Sequence, residues 1–202
     1  MISFLPMDPA AVKARLTKFE GCVPHMYRCT GGEVTIGIGH AIPDDAAACK
    51  LSWQISSAPA APERVAADYA AVAAADKGKV ASSYAALTAC RMTNDDIGRL
   101  VDADIQAFEA KLVSALPNWN GYPAPVQEAL FDMAYNLGLG GLLKFSRLLQ
   151  AVNAGDWSTA AAQCHRRGIG DARNQETAQL FLQAAGPEAS RGAAREATSG
   201  RK

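Results

Sequence analysis

Apolar residues recur at two spacings along this chain, and the spacings mark where helices and strands should lie. Val12, Leu16 and Phe19 stand at i, i+4 and i+7 among Lys13, Arg15 and Lys18, so residues 8–20 are predicted to form a short amphipathic helix with Gly21 as its cap. The period then drops to two. Val34, Ile36, Ile38 and His40 alternate with Thr35, Gly37 and Gly39 in VTIGIGH, and with MYRC before a TGGE turn, residues 25–40 read as a β-hairpin. Thr35 and the two glycines are predicted to share one face of its second strand.

The helical period returns at Thr93. TNDDIGRLVDADIQAFEAKLV opens with a Thr cap and carboxylates in the first turn, where the helix dipole favours them. Ile97, Leu100, Val101, Ile105, Phe108 and Leu112 then form one stripe, and PNWNGYPAP ends it. VQEALFDMAYNLG begins another predicted helix that stops at Gly138, with more helices expected near 142–154, 156–166 and 174–185. Residues 43–92 are rich in Ala, Ser and Pro and carry only a weak helical period; they are predicted to be an inserted flap or subdomain. Residues 186–202 have little to bury and are expected to be a flexible tail. The pattern is that of the α+β class: 1–185 as one domain, with a small lobe at 8–42, the insertion at 43–92 and a helical lobe at 93–185.

Composition narrows the function. The 202 residues include 20 Lys plus Arg against 20 Asp plus Glu, and a chain without net charge is not expected to bind nucleic acid or an anionic membrane. No apolar run approaches the roughly 20 residues of a membrane span, so no stable membrane insertion is expected. MISFLPMDPAAVKARL lacks the basic, apolar and small-residue segments of a signal peptide, which predicts synthesis in the cytoplasm without a Sec address. Five cysteines with no C-x-x-C pair argue against a zinc knuckle or a disulfide scaffold; a single bridge stays open, with Cys49 and Cys90 as its pair.

The chemistry concentrates near the hairpin. Glu20 follows Leu16 by four positions, which sets it beside the apolar stripe, and it closes a helix whose dipole disfavours negative charge there. Partial burial and the dipole would both favour the protonated carboxyl that a general acid requires, whereas a solvated helix-end Glu is the plain alternative. Glycines inside a strand mark close approach of a ligand or of other backbone, so Gly37 and Gly39 beside Thr35 are expected to leave a shelf for an extended polymer.

These residues resemble the phage-type lysozymes of glycoside hydrolase family 24, whose pattern is like EG…Y.C..G..TIG.GH. Glu20, Cys29 and Thr35 keep the family's spacings of nine and six positions, with Gly21, Tyr27, Gly32, Gly37, Gly39 and His40 also in place. QEALFDMAYNLG looks like the family's central helix and ARNQETAQLF like its Arg-containing helix, while residues 43–92 have no counterpart. The resemblance implies a lysozyme-like fold and hydrolysis of the β-1,4 bond between N-acetylmuramic acid and N-acetylglucosamine, with no metal or cofactor. Glu20 would be the acid, Thr35 would position water or the sugar, and Cys29 would take a place where members carry Asp or Cys. An ordinary thiol titrates near about 8.5 and is only slightly ionised at neutral pH, so Cys29 is either chemical or a packed neighbour.

The resemblance also implies that Gly37 and Asn136 meet the glycan and that Arg173 orients Glu20, with a C-cap and a surface arginine as the alternatives for the last two. Glu33 is expected to be solvated, Asp44 and Asp45 to cap a helix, His40 to be a hydrogen-bonded structural residue, and Trp119 and Trp157 to lie in the core. The partners implied are peptidoglycan strands and, for a secreted antibacterial effector, a cognate immunity protein. A phage endolysin is the competing role, a non-catalytic peptidoglycan-binding module the competing class, and a monomer the expected state.

Overall fold

Gly37 turns what reads as one strand into two. In the computed structural model, which describes residues 6–185, β1 (Val23–Arg28) pairs antiparallel with β2 (Val34–Gly37), and β2 pairs antiparallel with β3 (His40–Ile42). VTIGIGH is therefore not a single strand. Gly37 at φ +66 and Gly39 at φ +87 take a left-handed backbone that glycine adopts without strain, and the chain reverses before His40. All four β2 residues are buried, so the alternation expected for this strand does not produce an open face.

The chain divides into two compact units, Lys13–Ile105 as one and the residues up to Val12 with those from Gln106 onward as the other. The divisions fall inside α1 (Pro9–Glu20) and α4 (Asn94–Ala115). The expected tail at 186–202 lies outside the described residues.

In the Lys13–Ile105 unit the helix ends follow local chemistry. Gly21, at φ +74, closes α1 by donating its N–H to Thr17 O at 3.1 Å. Thr93 caps α4 by accepting Asp96 N at 3.1 Å, and its hydroxyl bonds the Asp96 carboxylate in return. Ile97, Val101 and Ile105 are buried, as their spacing predicts. His40 is half-buried, with Nδ1 2.8 Å from Asp104 Oδ2.

Residues 43–92 fold against β1 rather than standing apart from it. Asp44 caps α2 (Asp45–Ala48) by accepting Ala47 N at 2.7 Å; β4 (Gln54–Ile55), β5 (Ala58–Pro59), α3 (Pro62–Ala74) and a 3-10 segment (Ala81–Leu87) follow. Asp68, 1 % exposed, closes the segment: Oδ2 accepts Ala89 N at 2.8 Å and Cys90 N at 2.7 Å, while Oδ1 accepts Arg64 Nε at 2.9 Å. Three bonds then hold β1. His25 Nε2 donates to Ala81 O at 2.9 Å, Arg28 Nη1 to Ala75 O at 2.6 Å, and Met92 N to Pro24 O at 2.9 Å. The proposed Cys49–Cys90 bridge is absent, and both residues are free thiols. Cys49 Sγ points to Pro62 O at 3.4 Å, and Cys90 is packed in the core beside Asp68.

The second unit is helical: α5 (Ala124–Leu137), α6 (Leu139–Leu142), α7 (Ser146–Ala154), α8 (Trp157–Gln163) and α9 (Asp171–Ala184). The central helix stops at Gly138 as expected, whereas α9 starts at Asp171, three residues earlier than predicted. α5 and α8 pack on α9 around Leu130, Phe131, Met133 and Phe181, all at or near zero exposure. With a mainly helical chain and a small antiparallel sheet near its start, the fold is of the expected α+β class. No described helix is long and apolar enough to cross a membrane.

Candidate active site

β1 and β2 bring Tyr27 opposite Thr35, and Cys29 opens the turn that joins the two strands. Cys29 N donates to Glu33 O and Gly32 N donates to Cys29 O, both at 2.9 Å, so the turn from Cys29 to Glu33 is closed by backbone at both ends. Thr35 is 3 % exposed, and its hydroxyl donates to Glu33 O at 3.2 Å. Arg28 clamps the turn from outside, with Nε on Gly32 O at 2.9 Å and Nη1 on Ala75 O. Gly31 neighbours the half-buried thiol: a Cβ there would stand 3.5 Å from Cys29 Sγ, an ordinary contact.

Tyr27 is the common neighbour of the candidate acid and the thiol. Burial pushes its phenol up to about 12, and negative charge at Cys29 and Glu20 adds to the shift, so the hydroxyl lies within electrostatic reach of both. Tyr27, paired across the sheet with Thr35, is thus within electrostatic reach of Glu20 and Cys29. One expectation about Glu20 fails. It is the last residue of α1 and is exposed, so the partial burial read from its neighbour Leu16 does not hold; only its place at the helix C-terminus remains.

Gly37 also departs from expectation. Its missing side chain does not leave a shelf, because a Cβ there would come within 2.9 Å of Ile97 Cγ2. The close approach that a strand glycine signals is made by α4, and Gly37 is buried. Glu33 is exposed as expected, and its carbonyl rather than its carboxylate organises the turn.

Asn136 and Arg173 belong to the helical unit. Asn136 sits in the last turn of α5, where its Oδ1 is buried and has no hydrogen-bond partner among the described residues. A buried unpaired acceptor costs free energy, about 1–3 kcal/mol, unless a ligand or water completes it. Arg173 is not at the surface: it is 6 % exposed and sets Nε and Nη2 on Asp132 Oδ1 at 3.0 and 2.8 Å. Arg166, fully buried, reaches Asp132 Oδ2 at 2.9 Å and Thr177 Oγ1 at 2.7 Å, and Asn174 Oδ1 accepts its backbone N–H at 3.1 Å. Burial lowers the Arg166 pKa and Asp132 opposes that shift, which keeps the guanidinium charged in the core.

Asp132 and Arg28 are the residues that sequence reasoning missed. Asp132 interrupts the apolar run ALFDMAY, and a lone carboxylate on a buried helix calls for a cationic partner; that signal was present. Arg28 carried no such mark.

Residues 17–176 match the phage lysozyme family, a span that includes Glu20, Cys29, Thr35, Asn136 and Arg173. Over 165 residues the chain is 28% identical to the pre-baseplate central spike protein Gp5 of Enterobacteria phage T4, covering 79% of this chain and 25% of that protein. The chain thus spans about a quarter of that relative's length. It belongs to the phage lysozyme family, a family of muramidase-type peptidoglycan hydrolases.

Proposed function

We propose that this member of the phage lysozyme family hydrolyses the β-1,4 bond between N-acetylmuramic acid and N-acetylglucosamine in peptidoglycan. The observation that carries the reading is the family match over residues 17–176, a span in which Tyr27, paired opposite Thr35, lies within electrostatic reach of Glu20 and Cys29; glycoside cleavage needs a proton donor and a second group that serves the anomeric carbon. Glu20 gives its proton to the leaving oxygen. Cys29 activates water or attacks the anomeric carbon, and Thr35 fixes the turn in which the thiol stands.

A turbidity assay on peptidoglycan tests the enzyme reading. Wild type is expected to clear the suspension, and Glu20→Gln to clear it at least about a hundredfold more slowly, the usual scale of general acid catalysis. If wild type clears nothing, the reading fails. Cys29→Asp is expected to keep clearing and Cys29→Ser to lose it; an active Cys29→Ser would make the thiol a packing residue. The rival reading, a non-catalytic peptidoglycan-binding module, draws on the thiol that stands where a carboxylate would serve.

We place its action in the cell wall, as an endolysin released by a lytic phage or as an antibacterial effector delivered to a rival's periplasm. Expression behind a periplasmic signal is expected to lyse a bacterial host, and expression in the cytoplasm to spare it. An immunity protein encoded beside the gene that abolishes this lysis would favour the effector.

A further inference from the structure

A groove of about 540 Å³ lies in the helical unit, and none of its lining residues belongs to α5 or α9 or to the hairpin. Its walls are the 117–122 turn and the 152–157 junction between α7 and α8. Trp157 is half-exposed there, Asn118 and Asn153 are exposed, and Tyr122 is buried beneath them. No Lys, Arg, Asp or Glu lines it.

The polar groups are pre-aimed. Tyr122 OH donates to Asn153 Oδ1 at 2.6 Å, and Asn118 Nδ2 donates to the same oxygen at 3.3 Å. Two donors on Oδ1 assign that atom as the oxygen, so Asn153 Nδ2 points elsewhere with its N–H groups available, and Asn118 Oδ1 remains an acceptor. Burial raises the Tyr122 pKa, which keeps its proton in place as the donor. The groove receives both the C-terminal end of α7 and the first residue of α8, so helix dipoles of opposite sense meet there. Walls without Lys or Arg give a phosphate or a nucleic acid no cationic partner. Amide donors and acceptors beside a flat indole suit a neutral ligand with hydroxyl and acetamido groups on one edge and an apolar C–H face on the other.

We infer that this groove is a second glycan-binding site, in which Trp157 stacks against a sugar ring while Asn118 and Asn153 bond its hydroxyl or N-acetyl groups. The ligand class, an N-acetylated glycan, rests on the peptidoglycan reading above. The site would hold the chain on its insoluble substrate between cleavages, and it contains no residue assigned to the chemistry.

The test is a titration of the full chain carrying Glu20→Gln with chitotetraose, read by NMR on the Asn118 and Asn153 side-chain amides and the Trp157 indole N–H. These resonances are expected to shift together on one binding curve. Asn118→Ala removes one exposed partner and is expected to weaken that curve roughly three- to tenfold, the worth of one or two hydrogen bonds. Gly121→Gln adds a side chain where nothing lies within 4 Å, and is expected to obstruct the groove without disturbing the fold. Both variants should bind sedimented peptidoglycan less while cleaving soluble oligosaccharide at the wild-type rate. Unshifted groove resonances, or unchanged affinity in both folded variants, would overturn the inference. The readout is separate from clearing: an inactive wild type whose groove still binds the sugar would overturn the enzyme and leave this site standing.

Discussion

Arg173 lays Nε and Nη2 on Asp132 Oδ1, at 3.0 and 2.8 Å, against a carboxylate only 1 % exposed. Arg166 takes the other oxygen at 2.9 Å, so one aspartate holds two guanidinium groups in the core. Removing it leaves charges that water cannot reach. Asp132→Ala is expected to destabilise the fold by about 3–5 kcal/mol, the cost of breaking a buried pair from one side. Thr177→Val, which deletes a single hydroxyl partner of Arg166, should cost about 1–3 kcal/mol. Urea unfolding midpoints measure both, and equal costs would contradict the assignment of Asp132 as the centre of the cluster.

Gly37 carries two constraints at once, a φ of +66 and Ile97 Cγ2 at 2.9 Å from where a Cβ would sit. Gly37→Ala is expected to cost about 1–3 kcal/mol in thermal unfolding, from backbone strain and overpacking together. In the background of Ile97→Ala the same substitution should cost less, because the clash is gone and only the strain is left. Strict additivity in that double-mutant cycle would refute the contact.

Arg28 links the Cys29 turn to residue 75 through Gly32 O and Ala75 O. Arg28→Ala is expected to slow peptidoglycan clearing about tenfold or more while lowering stability by only about 1–3 kcal/mol, since a loosened turn misplaces the thiol without opening the core. Clearing rate and unfolding midpoint, measured on one preparation, separate the two effects. Arg28→Lys cannot span both carbonyls with a fork of donors and should rescue little.

Burial holds three groups neutral: the Tyr27 phenol and the Cys90 thiol are pushed up to about 12, and the Cys164 thiol to about 11. Each binds its proton more tightly folded than unfolded. The stability they contribute is therefore complete below the ordinary thiol and phenol values and is lost as pH rises through the folded ones. The unfolding midpoint is expected to fall steadily from pH 9 to 11, and Tyr27→Phe should flatten the part of that decline above pH 10. A midpoint rising over this range would reverse the sign and reject the account.

Short-range chemistry was enough to place much of this protein before any coordinates. Thr93, Asp44, Gly21 and Gly138 mark helix ends because a cap is satisfied within four residues of itself. The spacing of Glu20, Cys29 and Thr35 came instead from the family resemblance, which local chemistry alone does not supply.

Pairings across long stretches of sequence were a different matter. Nothing local at Gly37 announces Ile97, sixty residues on, and so a packed glycine read as an open shelf. The exposure of Glu20 escaped a pattern that records only which side of a helix is apolar. Cys49 and Cys90 flank one segment, yet the fold aims their thiols at Pro62 O and at Asp68. Trp157, expected in the core, stands half-exposed on a groove, because an indole's hydrophobicity does not say which elements will cover it. Periodicity and caps determine elements one at a time; which residues those elements bring into contact depends on packing them, and there Asp132, Arg166 and Arg173 found each other.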